Sequence, residues 1–173
     1  MRKGEKWIYG IIILTVLTFM GRNALQLMNP ADKDPGIPFY TTASHDLELS
    51  GSELYHRLNC KHCHSLWTVK DIMESVPAPA LDGIGSLRDE QWFYKYLSAE
   101  NPQSILPSRL KPEYRMPSFA DLTDEERHTL AAYLASLKVE DWYLEETKKA
   151  EYEKLTGKPY KDKVTKNDNA PSN

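Results

Sequence analysis

Cysteine is almost absent from this chain. Two residues in 173 cannot make a disulfide framework, which needs four or more. An excess of positive charge is missing as well. The 22 basic side chains face 25 acidic ones, giving a formal charge of −3, and this excludes the strongly basic footprint of a nucleic-acid binder. No nucleic-acid partner is expected. No internal repeat occurs, and no segment alternates apolar and polar residues in the manner of a strand. What remains is ordinary globular material, 40% hydrophobic and 27% charged. The length allows one domain with extensions, or two very small ones.

The apolar residues are unevenly spread, and the first thirty positions hold a large share of them. Trp7 to Met20 carries no charge, and Arg2, Lys3 and Lys6 precede it. Two readings compete. A secretory signal has a charged start, an apolar stretch and a small-residue cleavage site. Gly21 to Met28 offers no such site and resumes apolar character. Trp7 to Met28 is long enough to cross a hydrocarbon core of ~30 Å, with Trp7 and Tyr9 at the near boundary and Arg22 able to snorkel at the far one. The uncleaved anchor fits better, and either reading exports the protein. The basic residues before the span place the N-terminus in the cytoplasm and everything beyond about residue 28 outside.

Four regions follow: a cytoplasmic start and transmembrane anchor (1–28), a Pro-rich linker (29–45), a folded domain (46–139) and a charged extension (140–173). Three prolines and a glycine between Asn29 and Ala43 describe an extended, semi-rigid tether. Helices are expected near Ser50–Asn59, Arg88–Ser98 and Asp124–Lys138. The third has the clearest signals. Thr123 to Glu126 reads as a capping box, and Leu130, Tyr133, Leu134 and Leu137 form an apolar stripe. Eight acids and seven lysines from Glu140 to Asn173 suggest a solvated helix to about Leu155 and then disorder. Trp142 and Tyr143 either cover the edge of the core or dock a neighbouring subunit.

The chain's two cysteines stand three apart with a histidine next: Cys60-Lys61-His62-Cys63-His64. C-x-x-C-H is the attachment sequence of a c-type haem. Residues i and i+3 of a helical turn project to one side, so both thiols can bond the vinyl groups of one haem. The adjacent imidazole of His64 then reaches the iron from one axial side. The competing readings are weaker. Zinc needs a second ligand pair with its own short spacing, which His45, His56, His62 and His128 do not provide. A redox dithiol expects a βαβ context, and a structural disulfide has no partner feature to recommend it.

A second axial ligand must come from downstream. Met116 lies in the loop Lys111 to Phe119, stiffened by Pro112 and Pro117. Its thioether is a soft donor that raises the iron potential. His56 and His128 are expected to be surface or packing residues, and His62 to face solvent. Arg109, Lys111 and Arg115 outnumber Glu113 around this loop, in a domain that is otherwise net −4 between Asp46 and Lys138 (14 acids, 10 bases). Arg109 and Arg115 neutralise haem propionates or simply face water, or the cations form a docking patch for an acidic redox partner.

From Leu49 to Lys138 these motifs resemble a class I c-type cytochrome, the small all-α fold around one covalently bound haem c. The resemblance rests on Gly51-x-x-x-Tyr55, Cys60-x-x-Cys63-His64, Pro79-Ala-Leu-x-Gly83-x-Gly85, and Met116-Pro through Glu126 with Tyr133. It implies that Gly51 admits Tyr133 where the first and last helices cross. It also implies that the Pro79 carbonyl accepts the Nδ1 proton of His64, fixing the ring's orientation and basicity. Ala78-Pro79 replaces the family's usual Gly-Pro. With an N-terminal anchor, the chain is similar to the membrane-tethered monohaem subunits of haem-copper oxidases and nitric oxide reductases.

The function so implied is one-electron transfer without substrate chemistry of its own, since both axial positions would be filled. The expected setting is the inner membrane, single-pass, with the haem domain on the periplasmic side. The expected partners are the bilayer, integral-membrane redox subunits, and donor and acceptor proteins. Two alternatives are a free-standing tethered shuttle and a peroxidase or gas sensor with a labile sixth ligand.

Overall fold

A computed structural model describes residues 3–28, 36–67 and 76–161. The backbone contacts divide the chain into two units, 1–36 and 37–173. The first holds one helix, α1 (Lys3–Met28). Its stretch Trp7–Ala24 is long and apolar enough to cross a membrane, a property that a signal sequence near an N-terminus shares. At 1.5 Å per residue these 18 residues span about 27 Å. Thr15 and Thr18 turn their hydroxyls back onto the carbonyls of Ile11, Ile12 and Thr15 at 2.8–3.0 Å. Both threonine hydroxyls of the stretch are thus satisfied within the helix, as a lipid environment would require.

The second unit is mostly helical. In chain order it contains β1 (Phe39–Thr41), α2 (His45–Arg57), α3 (Glu90–Leu97), α4 (Asp124–Ser136), β2 (Leu137–Val139) and α5 (Leu144–Thr156), linked by short 3-10 turns. Helices α2, α3 and α4 each begin where a side chain satisfies the orphan amides of a first turn. Ser44 accepts from Leu47 N at 3.3 Å, and Asp89 from Trp92 N at 2.8 Å. The capping box expected at Thr123 is present, with Glu126 N to Thr123 Oγ1 at 3.2 Å and Thr123 N to Glu126 Oε2 at 2.9 Å.

The core lies where α4 meets α2 and α3. Leu130, Ala131, Tyr133, Leu134 and Leu137 are almost fully enclosed, together with Leu54, Tyr55, Ile84, Phe93 and Leu97. Gly51 is what lets α2 approach α4. A Cβ there would come within 2.7 Å of Tyr133 Cδ2 and closer still to the ring's attachment point. Gly83 and Gly85 do the same beneath β2 and the end of α4, where Val139 Cβ and Leu134 O would stand 2.7 and 2.8 Å from an added methyl.

Two expectations are corrected. No strand was expected, yet β1 and β2 pair antiparallel, with Phe39 opposite Val139 and Thr41 opposite Leu137. Glu140 N to Pro38 O at 2.8 Å and Thr42 N to Ser136 O at 2.9 Å extend the ladder at both ends. Three residues are too few to display a period of two. Leu137 and Lys138, expected as the last helical residues, are extended instead, and the end of the tether is pinned to the folded unit. The second correction concerns α5, expected as a solvated helix. Thr147 is buried, Glu151 pairs with Arg88 with both side chains mostly enclosed, and Arg109 Nε donates to Lys154 O at 3.1 Å. Tyr143 packs edge-on against Phe39 at 5.6 Å, which favours the core-edge reading of that residue. Trp142 stays half exposed. Most of the tether and the tail beyond residue 161, where disorder was expected, lie outside the described residues.

Gly51→Ala tests the crossing. Overpacking Tyr133 costs about 1–3 kcal/mol, against about 1 kcal/mol gained in helix propensity. A net loss of stability in urea unfolding of the haem-loaded protein is expected; an unchanged or raised midpoint would show that the helices part without cost.

Candidate haem site

The cysteine motif begins where α2 ends. Asn59 adopts a left-handed conformation (φ 59°, ψ 30°), which a short polar side chain tolerates, and turns the chain sharply. Cys60–His62 then form one 3-10 turn, with Cys63 N and His64 N both donating to Cys60 O at 3.2 and 2.9 Å. That single turn is what sets Cys60 and Cys63 one helical repeat apart. The thiols are not joined to each other. Burial pushes the Cys60 thiol up to about 11, the reverse of the depressed value that a redox dithiol needs.

His64 is held at both its backbone and its ring. Tyr55 donates its hydroxyl to His64 O at 3.1 Å, and burial raises the Tyr55 phenol far above its ordinary range, so it stays a donor. The ring's Nδ1 lies 2.7 Å from Pro79 O. A carbonyl only accepts, so Nδ1 carries the proton and Nε2 carries the lone pair in the neutral ring. This is the tautomer an iron ligand requires.

Met116 follows the turn Pro112–Tyr114. Three hydrogen bonds shape its loop: Arg115 Nε to Leu110 O at 2.8 Å, Gln103 Nε2 to Met116 O at 2.8 Å, and Ser118 Oγ to Ala99 O at 2.9 Å. Sequence reading missed Gln103. An isolated glutamine 13 residues away carries no local signal, and only the folded loop shows what it holds.

All five residues singled out from the sequence, Cys60, Cys63, His64, Pro79 and Met116, line one cavity of about 1150 Å³ including its open mouth. Leu81, Ile84, Trp92, Phe93, Leu97 and Leu130 give it apolar walls. Arg88, Arg109, Arg115 and Lys154 also line it, against Glu151 alone among the acids, so its charged rim is +3 inside a domain that is net −4. This combination fits a haem: a broad apolar slot for the macrocycle, cations for two carboxylates, two thiols and an imidazole on one turn, and a thioether in reach of the same space. Arg109 and Arg115 belonging to this rim favours the propionate reading of those cations; Lys111 is exposed outside it.

The other histidines sit elsewhere. His128 is exposed and stacks on Tyr94 at 4.1 Å, His56 meets the Tyr55 ring edge-on, and His62 faces outward. Among the described residues no three His, Cys, Asp or Glu side chains converge as a metal cage. Nor did the sequence point to Glu151, Lys154 and Leu155 as cavity residues, because they lie on a segment that reads as solvated.

The cytochrome c family model matches residues 49–138, just over half of the chain. No curated protein and no solved structure matches it. The match begins within α2 and ends in β2, so it takes in the cysteine turn, the Pro79 and Gly83 segment, the Met116 loop and α4. The chain belongs to the cytochrome c family, in its class I form, and its prosthetic group is covalently bound haem c.

Proposed function

We propose that this haem c protein, an electron carrier by family, is the membrane-anchored relay subunit of a respiratory complex of the terminal oxidase or nitric oxide reductase type. The observation that carries the relay chemistry is the shared cavity of Cys60, Cys63, His64 and Met116. Cys60 and Cys63 would hold the haem through thioethers, with His64 as proximal and Met116 as distal iron ligand. Bound haem c supplies a one-electron iron couple. The chain does the rest. Pro79 O keeps the His64 ring oriented and basic, Gln103 holds the methionine strand, and the apolar walls exclude water. With His64 and Met116 both ligating the iron, no position on it would be left for a substrate.

The anchor supports the membrane assignment. Trp7–Ala24 has the length and composition of a span, and Arg2, Lys3 and Lys6 ahead of it favour a cytoplasmic N-terminus with the haem domain on the periplasmic side. A single-pass tether restricts the domain to partners near the membrane surface, which suits integral redox subunits with their own donor and acceptor.

Three measurements test this reading. Met116→Ala should abolish the charge-transfer band of methionine-bound ferric iron and lower the midpoint potential; an unchanged spectrum would assign the sixth ligand elsewhere. Gln103→Leu should leave that band in place at neutral pH. It should nonetheless let the methionine be displaced at a lower urea concentration than in the parent, because the Met116 carbonyl loses its donor. Mild detergent extraction should recover the haem-bearing chain with integral-membrane subunits, starting at its own N-terminus. Recovery alone would favour a free-standing shuttle, and a mature N-terminus near residue 28 would show a cleaved signal.

A further inference from the structure

The family match stops at residue 138, yet the cavity wall does not. Helix α5 adds Glu151, Lys154 and Leu155 to the space lined by Cys60, Cys63, His64 and Met116. It is clasped at three places. Near its start, Thr147 is buried, with its methyl packed at Gly83, which Val139 also covers. In the middle, Glu151 pairs with Arg88, whose guanidinium lies 4.6 Å over the Trp92 ring, itself stacked on Tyr96 at 5.0 Å. At the end, Arg109 Nε donates to Lys154 O, and the Arg109 side chain rests against Gly157, which closes the helix in a left-handed conformation (φ 68°). Arg88, Trp92, Tyr96 and Arg109 are themselves cavity residues. A helix meant only for solvent or for a neighbouring subunit has no reason to put its contacts there.

We propose that α5 is an added wall of the haem pocket, which excludes water and small exogenous ligands and holds the midpoint potential up. Glu151 and Leu155 act as positioning residues for the relay, through Arg88 and the apolar lining rather than by touching iron. Less water around a haem disfavours the more highly charged ferric state, so covering the cavity raises the potential. The Arg88–Glu151 pair fastens the cover with little net charge, since each neutralises the other in a mostly enclosed position. The inference rests on the haem assignment and is independent of which complex the chain serves.

The test uses the full-length, haem-loaded protein and three variants. Truncation after Tyr143 removes α5. Thr147→Arg detaches it by placing a charge against Gly83 and Val139. Leu155→Ala thins the wall while leaving all three clasps in place, and keeps the test decisive if the first two do not fold. Mass analysis first establishes that each carries haem, which separates a failure of the haem assignment from a failure of this one. Imidazole and cyanide are the probes for the ferric form, alongside redox titration. Detaching α5 should speed ligand entry by about tenfold, equivalent to ~1.4 kcal/mol of lost closure, and lower the midpoint potential; Leu155→Ala should move both in the same direction by less. Haem-loaded variants with the parent's ligand kinetics and potential would overturn the proposal.

Discussion

The hydrogen bond from His64 Nδ1 to the Pro79 carbonyl is the constraint around which the site is arranged. It selects one tautomer, and so decides which ring nitrogen holds the lone pair. It also ties the cysteine turn to a segment 15 residues downstream. The Tyr55 hydroxyl on the His64 carbonyl joins the same turn to α2, which is held against α4 through Gly51 and Tyr133. The His64 side of the site is therefore continuous with the close crossing of α2 and α4. A ligand ring braced in this way resists the small rotations that would change its overlap with a metal, and that rigidity keeps reorganisation small when only an electron is exchanged.

The distal side is built differently. Met116 sits in a loop fixed by side chain to backbone hydrogen bonds from Gln103, Arg115 and Ser118, rather than by an apolar helix crossing. Such bonds contribute roughly 1 kcal/mol each, so this loop belongs to the less stable part of the domain. The asymmetry suits the two ligands proposed, His64 and Met116. Imidazole is a strong donor held once and for all, whereas a thioether is a weak one whose attachment depends on its loop staying closed. The cationic rim, +3 among cavity residues within an acidic domain, falls on this looser side through Arg109 and Arg115. Carboxylates paired there would help keep the loop closed.

Much of the site was legible in the sequence because it is chemically local. Cys60, Cys63 and His64 fall within five consecutive positions, and Met116 is flanked by its own prolines. Thr123 and Glu126 form a capping signal within one turn. The stripe Leu130, Tyr133, Leu134 and Leu137 is buried as its spacing predicts, although Leu137 is reached as a strand rather than as helix. What was not legible is non-local. The β1–β2 pairing joins residues about a hundred positions apart through three-residue strands, too short to show alternation. The charged face of α5 dominates its composition and conceals that Thr147, Glu151 and Leu155 lie on the side turned to the domain. Glu151 reads as a solvated acid until Arg88, 63 residues earlier, is placed beside it.

These non-local additions follow from the size of the family core. Residues 49–138 form a domain of the length at which burial only just offsets chain entropy, and a large cofactor slot removes interior volume that would otherwise be packed by side chains. Strand β1 and helix α5 come from the two sides of that core in sequence, and both dock on β2 and its neighbours: Phe39 opposite Val139, and Thr147 beside Gly83 and Val139. The Phe39–Tyr143 contact joins the two additions to each other. The segments before and after the family core thus close on the same edge. A domain whose haem attachment is set by one turn near its start can in this way have its stability and its cavity cover set by residues outside the attachment motif.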